Sequence, residues 1–145
     1  MEQINNFRNQ INSYNHSLSA LAEAELHQKP AINKWSKKEI LGHLCDSAIN
    51  NYYRFLHLQQ SKGLFEVVQY DQDSWVKMGR YQTRDWATIL NLWETLNFSI
   101  IEILESSFEA NKNQQIIIDG VEQDYKFLVQ DYYEHLAHHM KQIIN

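Results

Sequence analysis

Residues that break regular structure are nearly missing from this chain: one proline, Pro30, and four glycines in 145 residues. Average usage would put roughly 12% of positions in those two types, so the scarcity excludes a turn-rich β architecture and points to a few long helices. A single cysteine, Cys45, excludes an internal disulfide and any cysteine-based zinc cluster, and fits a reducing compartment. Basic charge is also short. Thirteen Lys and Arg stand against eighteen Asp and Glu, a formal charge of -5, and the basic residues are scattered. Nucleic acid as the main partner is therefore not expected, because phosphate binding needs clustered cations. No apolar run approaches the ~18 residues of a membrane helix, and Met1 to Asn6 carries neither a basic start nor an apolar stretch. The expectation is one cytoplasmic domain over residues 1–145, with no membrane and no nucleic-acid partner.

What the chain does have is apolar and aromatic material, 43% and 12%, including four Trp, eight Tyr and six Phe. That suffices for a sizeable core, and its periodicity is helical. Ile4, Phe7, Ile11, Tyr14, Leu18 and Leu21 recur every three or four residues, predicting a first helix over about 4–25. Ser36 with Glu39 forms a capping-box signature, and Trp35 before it can staple onto Ile40, opening a second helix from Lys37 to about Gln60. Residues 61–82 break the pattern and form a long connection. Thr83 then predicts an N-cap for a third helix from Arg84 to about Phe108, with Trp86, Leu90, Trp93, Leu96, Ile100, Ile103 and Leu104 on its apolar side. Residues 114–123 read as a short extended piece with a turn at Asp119-Gly120, and Asp124 caps a last helix to about Ile144. The expected fold class is all-α, a four-helix bundle with a long crossover between helices 2 and 3.

Three of the seven histidines crowd into the last eleven residues, at 135, 138 and 139. His135 and His139 lie one turn apart on the face carrying Leu128, Tyr132 and Ile143, the spacing that lets two imidazoles hold one metal ion. Chance alone gives roughly 0.3 such pairs in a chain of this composition, so a third ligand is needed. His43, on the expected inward stripe of the second helix with Ile40, Leu44 and Ser47, is the candidate. Three histidines with a fourth position open describe a catalytic metal site. The competing reading is a set of hydrogen-bonded core histidines. His138 points away and reads as surface, though at i+3 it could replace a neighbour as ligand. His57 is about 21 Å along the helix from His43, too far to share an ion. Cys45 reads as a small core residue, Asp46 and Glu39 as a solvated face, and the Tyr52-Tyr53 and Tyr132-Tyr133 pairs as one inward ring each. No repeated Glu-x-x-His supports a di-iron site.

These elements together resemble a known family. Trp35-Ser36-Lys37-Lys38-Glu39 followed by His43-Leu44-Cys45-Asp46-Ser47 is similar to the W-S-x-x-E-x-x-x-H-L-x-D-S signature of the DinB/YfiT-like superfamily. Tyr70-Asp71-Gln72-Asp73-Ser74-Trp75 resembles its Y-D-x-x-x-W loop, and His135-x-x-x-His139 with Gln142-Ile143 resembles its C-terminal H-x-x-x-H-x-x-Q-I. The resemblance implies a four-helix bundle, a homodimer, and a divalent metal (zinc, nickel or iron) on His43, His135 and His139. It implies architecture for Trp35, Asp46 and Asp71: a staple, a supporting or capping group, and a loop anchor. The activity it favours is transfer of a low-molecular-weight thiol to an electrophilic small molecule. A metal-dependent hydrolase using water is the alternative, disfavoured at this point because no carboxylate is clearly placed as a general base. A non-enzymatic, metal-binding or stress-associated dimeric bundle is the third reading.

Overall fold

The computed structural model describes residues 2–61 and 64–145. Helix α1 spans Glu2–Ser19 and buries Ile4, Phe7, Ile11 and Leu18, the stripe its sequence spells out. It ends six residues before the expected boundary. The hydroxyls of Ser17 and Ser19 turn back onto the carbonyls of Ser13 and Asn15, the local competition that makes serine a poor helix continuer, and a separate short helix α2, Glu23–Leu26, delivers Leu26 to the core.

Helix α3 spans Lys37–Gln60 with the capping box complete: Ser36 Oγ accepts from Glu39 N–H, and Glu39 Oε2 accepts from Ser36 N–H at 2.8 Å. Every residue from Ile40 to Ala48 is buried, so this stretch is covered on all sides rather than along one stripe. The cover opposite the bundle comes from the crossover. It contains strand β1, Phe65–Glu66, helix α4, Gln72–Gly79, and a 3-10 turn, Tyr81–Thr83. Asp71 caps α4, its Oδ1 accepting from Ser74 N–H and its Oδ2 from the Ser74 hydroxyl.

Helix α5, Trp86–Asn111, is capped by Asp85, which accepts from Thr88 N–H, and not by Thr83, whose hydroxyl closes the 3-10 turn on Arg80. Strands β2, Gln115–Ile118, and β3, Val121–Asp124, form an antiparallel hairpin over Asp119-Gly120. Both turn residues have positive φ (51° and 77°), the conformation that Asp-Gly supplies in a tight hairpin. Strand β1 joins β2 in parallel, Phe65 opposite Ile116, so a three-stranded sheet ties the two connections together. Asp124 then caps α6, Tyr125–Ile144, at Phe127 N–H.

Helices α1, α3, α5 and α6 form the four-helix bundle, closed around Trp93, Tyr125, Tyr132, Phe7 and Phe55. Both Tyr132 and Tyr133 are buried, where one inward ring was expected. Tyr133 stacks on Phe7 with centroids 3.9 Å apart, and Tyr132 donates its hydroxyl to buried Asn97. Among the described residues, no helix is long and apolar enough to cross a membrane.

Candidate metal centre

The capping box sets the start of α3 and thereby the phase at which His43, seven residues on, enters the interior with no exposed surface. Helix α6 runs antiparallel beside it, with Phe55 against Tyr125 and Tyr132 and His43 against His135. The three rings of His43, His135 and His139 form a near-equilateral triangle, centroids 4.7 to 5.0 Å apart. One donor nitrogen from each lies within 4.8 Å of the others. The Nε2 atoms of His43 and His135 are 3.0 Å apart. A tetrahedral ion at about 2.1 Å from each nitrogen separates its ligands by about 3.4 Å, so the two rings already stand near ligand spacing.

Neighbouring groups fix which nitrogen two of the rings present. Gln142 Oε1 sits 2.9 Å from His139 Nδ1 and accepts its proton, which leaves the Nε2 lone pair free. Ser47 Oγ lies 3.5 Å from His135 Nδ1 in the same role. The buried Nδ1 of His43 has no hydrogen-bond partner, and packing holds this ring instead: the Trp35 indole lies 4.9 Å away, tilted by 37°. Trp35 walls the histidines on this side and also reaches His139 at 6.4 Å.

Burial disfavours the charged form of all three rings. Burial, reinforced by the other two histidines, pushes His43 down to about 3, and burial with His139 and His138 nearby pushes His135 down to about 4. Burial lowers His139 as well, against the opposing bond to Gln142. Neutral imidazoles with converging lone pairs are the form that ligates zinc, nickel or ferrous iron, and the donor set fits a divalent ion without rearranging the helices. His138 is exposed and outside the triangle; it accepts from Gln142 Nε2 at 3.1 Å, so it steadies the glutamine that orients His139.

Residues 6–143 match the DinB superfamily. This chain belongs to the DinB superfamily. A Bacillus licheniformis protein provisionally named a metal-dependent hydrolase is 27% identical over 126 residues, covering 85% of this DinB chain and 70% of its own length. The fold is that of YfiT from Bacillus subtilis, described provisionally as a metal-dependent hydrolase with an unusual four-helix bundle topology. The TM-score is 0.82 at 18% identity, over 99% of this chain and 85% of that one.

Two sequence expectations within the DinB motifs change. Asp46 is buried, not solvated: it takes the hydroxyl proton bond of Tyr81 on Oδ1, its Oδ2 has no partner, and burial pushes its carboxyl up to about 6. It faces Tyr81 rather than His43. Glu39 is half-buried, spending its carboxylate on the cap and on Lys29. Cys45 is a core residue as expected, its Sγ on Ile89 O and its thiol pushed up by burial. Beside His135 lies a polar cavity of about 100 Å³ with Tyr70 of the crossover, Arg54 and Asp131 in its wall, the last two not singled out by the sequence. Asp131 was findable, one turn before His135 on the histidine face; Tyr70 arrives from the crossover, which no periodicity places.

Proposed function

We propose that this chain is a metal-dependent hydrolase of a small polar substrate, with a divalent ion on His43, His135 and His139 and Asp131 as the group that moves the proton. The observation that carries this reading is the placement of a carboxylate and a polar cavity at the edge of a triangle of three neutral imidazoles. When bound, a divalent cation supplies Lewis acidity that stabilises the deprotonated form of water or of a thiol. Asp131 accepts the proton of the attacking water and returns it to the leaving group, so water adds across the broken bond. Its carboxyl is held above the ordinary range, first by desolvation and then by Glu134, with Arg54 opposing, which brings it closer to working pH. Ser47 and Gln142 keep the rings aimed, and Trp35 keeps solvent off His43. The provisional names of the relatives support the same chemistry.

Thiol transfer to an electrophile is the second reading, favoured by a second cavity of about 440 Å³ along Trp35, Ile40 and Gln142, since that reaction needs room for two substrates. The test is a panel of small esters and amides, against a panel of thiols with electrophiles, using protein loaded with zinc, nickel or ferrous iron. Hydrolysis that falls by about 10²–10⁴ in Asp131→Asn supports the first reading. Thiol transfer that survives Asp131→Asn, with no hydrolysis, replaces it with the second.

A further inference from the structure

The cavity beside His135 contains a cation that makes no direct ion pair. Arg54 is half-buried two turns beyond Ser47 on α3, about 10 Å along the helix axis. Its Nη2 donates to the Val68 carbonyl at 2.7 Å, and Nη1 reaches Asn51 Oδ1 only at 3.5 Å. Among the described residues, no carboxylate comes within ion-pair distance of it. Asp119, a charged neighbour, accepts both contacts of Gln69 Nε2, at 3.1 and 3.2 Å. Asp131 lines the same cavity without closing on the guanidinium. A guanidinium has five donors in a rigid fork, and most of those of Arg54 are uncommitted at the wall of a polar space.

Resting on the hydrolase reading, we infer that Arg54 is the specificity anchor of the site and binds a carboxylate carried by the substrate, placing the reacting group toward His135. The planar fork matches a carboxylate in two parallel hydrogen bonds. A monoanion suits the cavity better than a dianionic phosphate, because Asp131 and Asp119 repel the second charge. The volume accepts a carboxylate with a few carbons. The substrate class is thus a short-chain carboxylic acid whose hydrolysable bond lies several atoms from its carboxylate.

The test uses the metal-free full chain, so that it is independent of metal loading and turnover. Butyrate and, separately, inorganic phosphate are titrated while the Arg54 Nε–Hε signal of the parent and, in the parent and every variant, the backbone amide signals of Val67 and Ile118 in the cavity wall are followed by nuclear magnetic resonance. Butyrate is expected to shift these signals saturably and to bind more tightly than phosphate, and Arg54→Gln to weaken the affinity read from the amides about ten- to a hundredfold, the range for a charge-assisted pair. Arg54→Lys, checked for native circular dichroism, retains part of the affinity, and Asp131→Asn tightens it. Equal butyrate binding in Arg54→Gln, or phosphate bound as tightly as butyrate, overturns the assignment. Failure of hydrolysis with butyrate binding intact would instead count against the reaction and leave the anchor standing.

Discussion

Replacing Gly42 by alanine tests the closest approach made to any described glycine, one residue from a candidate ligand. A Cβ built at Gly42 falls 2.1 Å from Cγ and Cδ2 of Tyr81 and 2.6 Å from Cδ1, where ordinary contact begins at 3.4 Å. The ring would have to retreat by about 1.3 Å, the difference of those distances. It has little freedom to do so, since Tyr81 is 4% exposed and its hydroxyl is bonded to Asp46. Overpacking of this kind costs about 1–3 kcal/mol, and disturbing a hydrogen bond to a carboxylate adds up to about 1.5–3 kcal/mol. Alanine's better helix propensity returns about 1 kcal/mol. The expected net loss is about 2 kcal/mol or more, a fall in Tm of about 4–8 °C for a domain of this size. Thermal unfolding by circular dichroism reads it, with Tyr81→Ala as the second arm: once the ring is gone, Gly42→Ala should become neutral or stabilising. A single Gly42→Ala protein as stable as the parent would refute the placement of Tyr81 and with it the explanation of why α3 is buried on all sides.

Metal content by elemental mass spectrometry should fall close to zero in His43→Ala and His139→Ala and stay near the parent in His138→Ala; equal loss at 138 and 139 would mean the triangle is misassigned. Zinc binding at pH 6 should release few protons. Three ordinary histidines at 6.5 would each be about three-quarters protonated and release about 2.3 protons, whereas His43 near 3 and His135 near 4 carry almost none, leaving at most about 0.8 from His139. Because His43 and His135 are already deprotonated, affinity should fall less steeply between pH 7.5 and 6 than three ordinary histidines would require. Calorimetry in two buffers of different ionisation enthalpy measures this, and more than two protons released would contradict it. Asp85→Ala should destabilise by about 1 kcal/mol, the worth of an N-cap, and Thr83→Ala by less; chemical denaturation with the order reversed would restore Thr83 as the cap.

Periodicity and caps made most of this architecture legible in the residues themselves. Ser36 with Glu39 and Asp124 with its turn fix two helix starts to the residue, and the one-turn spacing of His135 and His139 is visible without any structure. Where the reading slipped, the deciding forces were not periodic. The end of α1 is set by serine hydroxyls competing for carbonyls, and the cap of α5 by a choice between two adequate residues, Thr83 and Asp85. Asp46 looked solvated because a helix of ordinary exposure would put it in water; its burial depends on Tyr81, 35 residues away. Arg54 and Tyr70 meet only because the crossover folds over α3, a long-range event that leaves no mark at three- or four-residue spacing.

The pairing of β1 with β2 gives the folding reaction an order. Phe65 and Ile116 are 51 positions apart and pair in parallel, so no local turn can bring them together. Non-local pairs carry the larger loop-closure cost, so this strand pair is expected to close late, as a seal on the bundle. Val67 N–H, bonded to Ile117 O at 2.8 Å just past the pair, is its reporter, and Val67 and Ile118 are also walls of the cavity that holds Arg54. Sealing and ligand capture are therefore linked equilibria: an occupant of the cavity should slow hydrogen exchange at Val67 by the same free energy with which the closed sheet favours the occupant. Unchanged exchange at Val67 under saturating butyrate would uncouple the two.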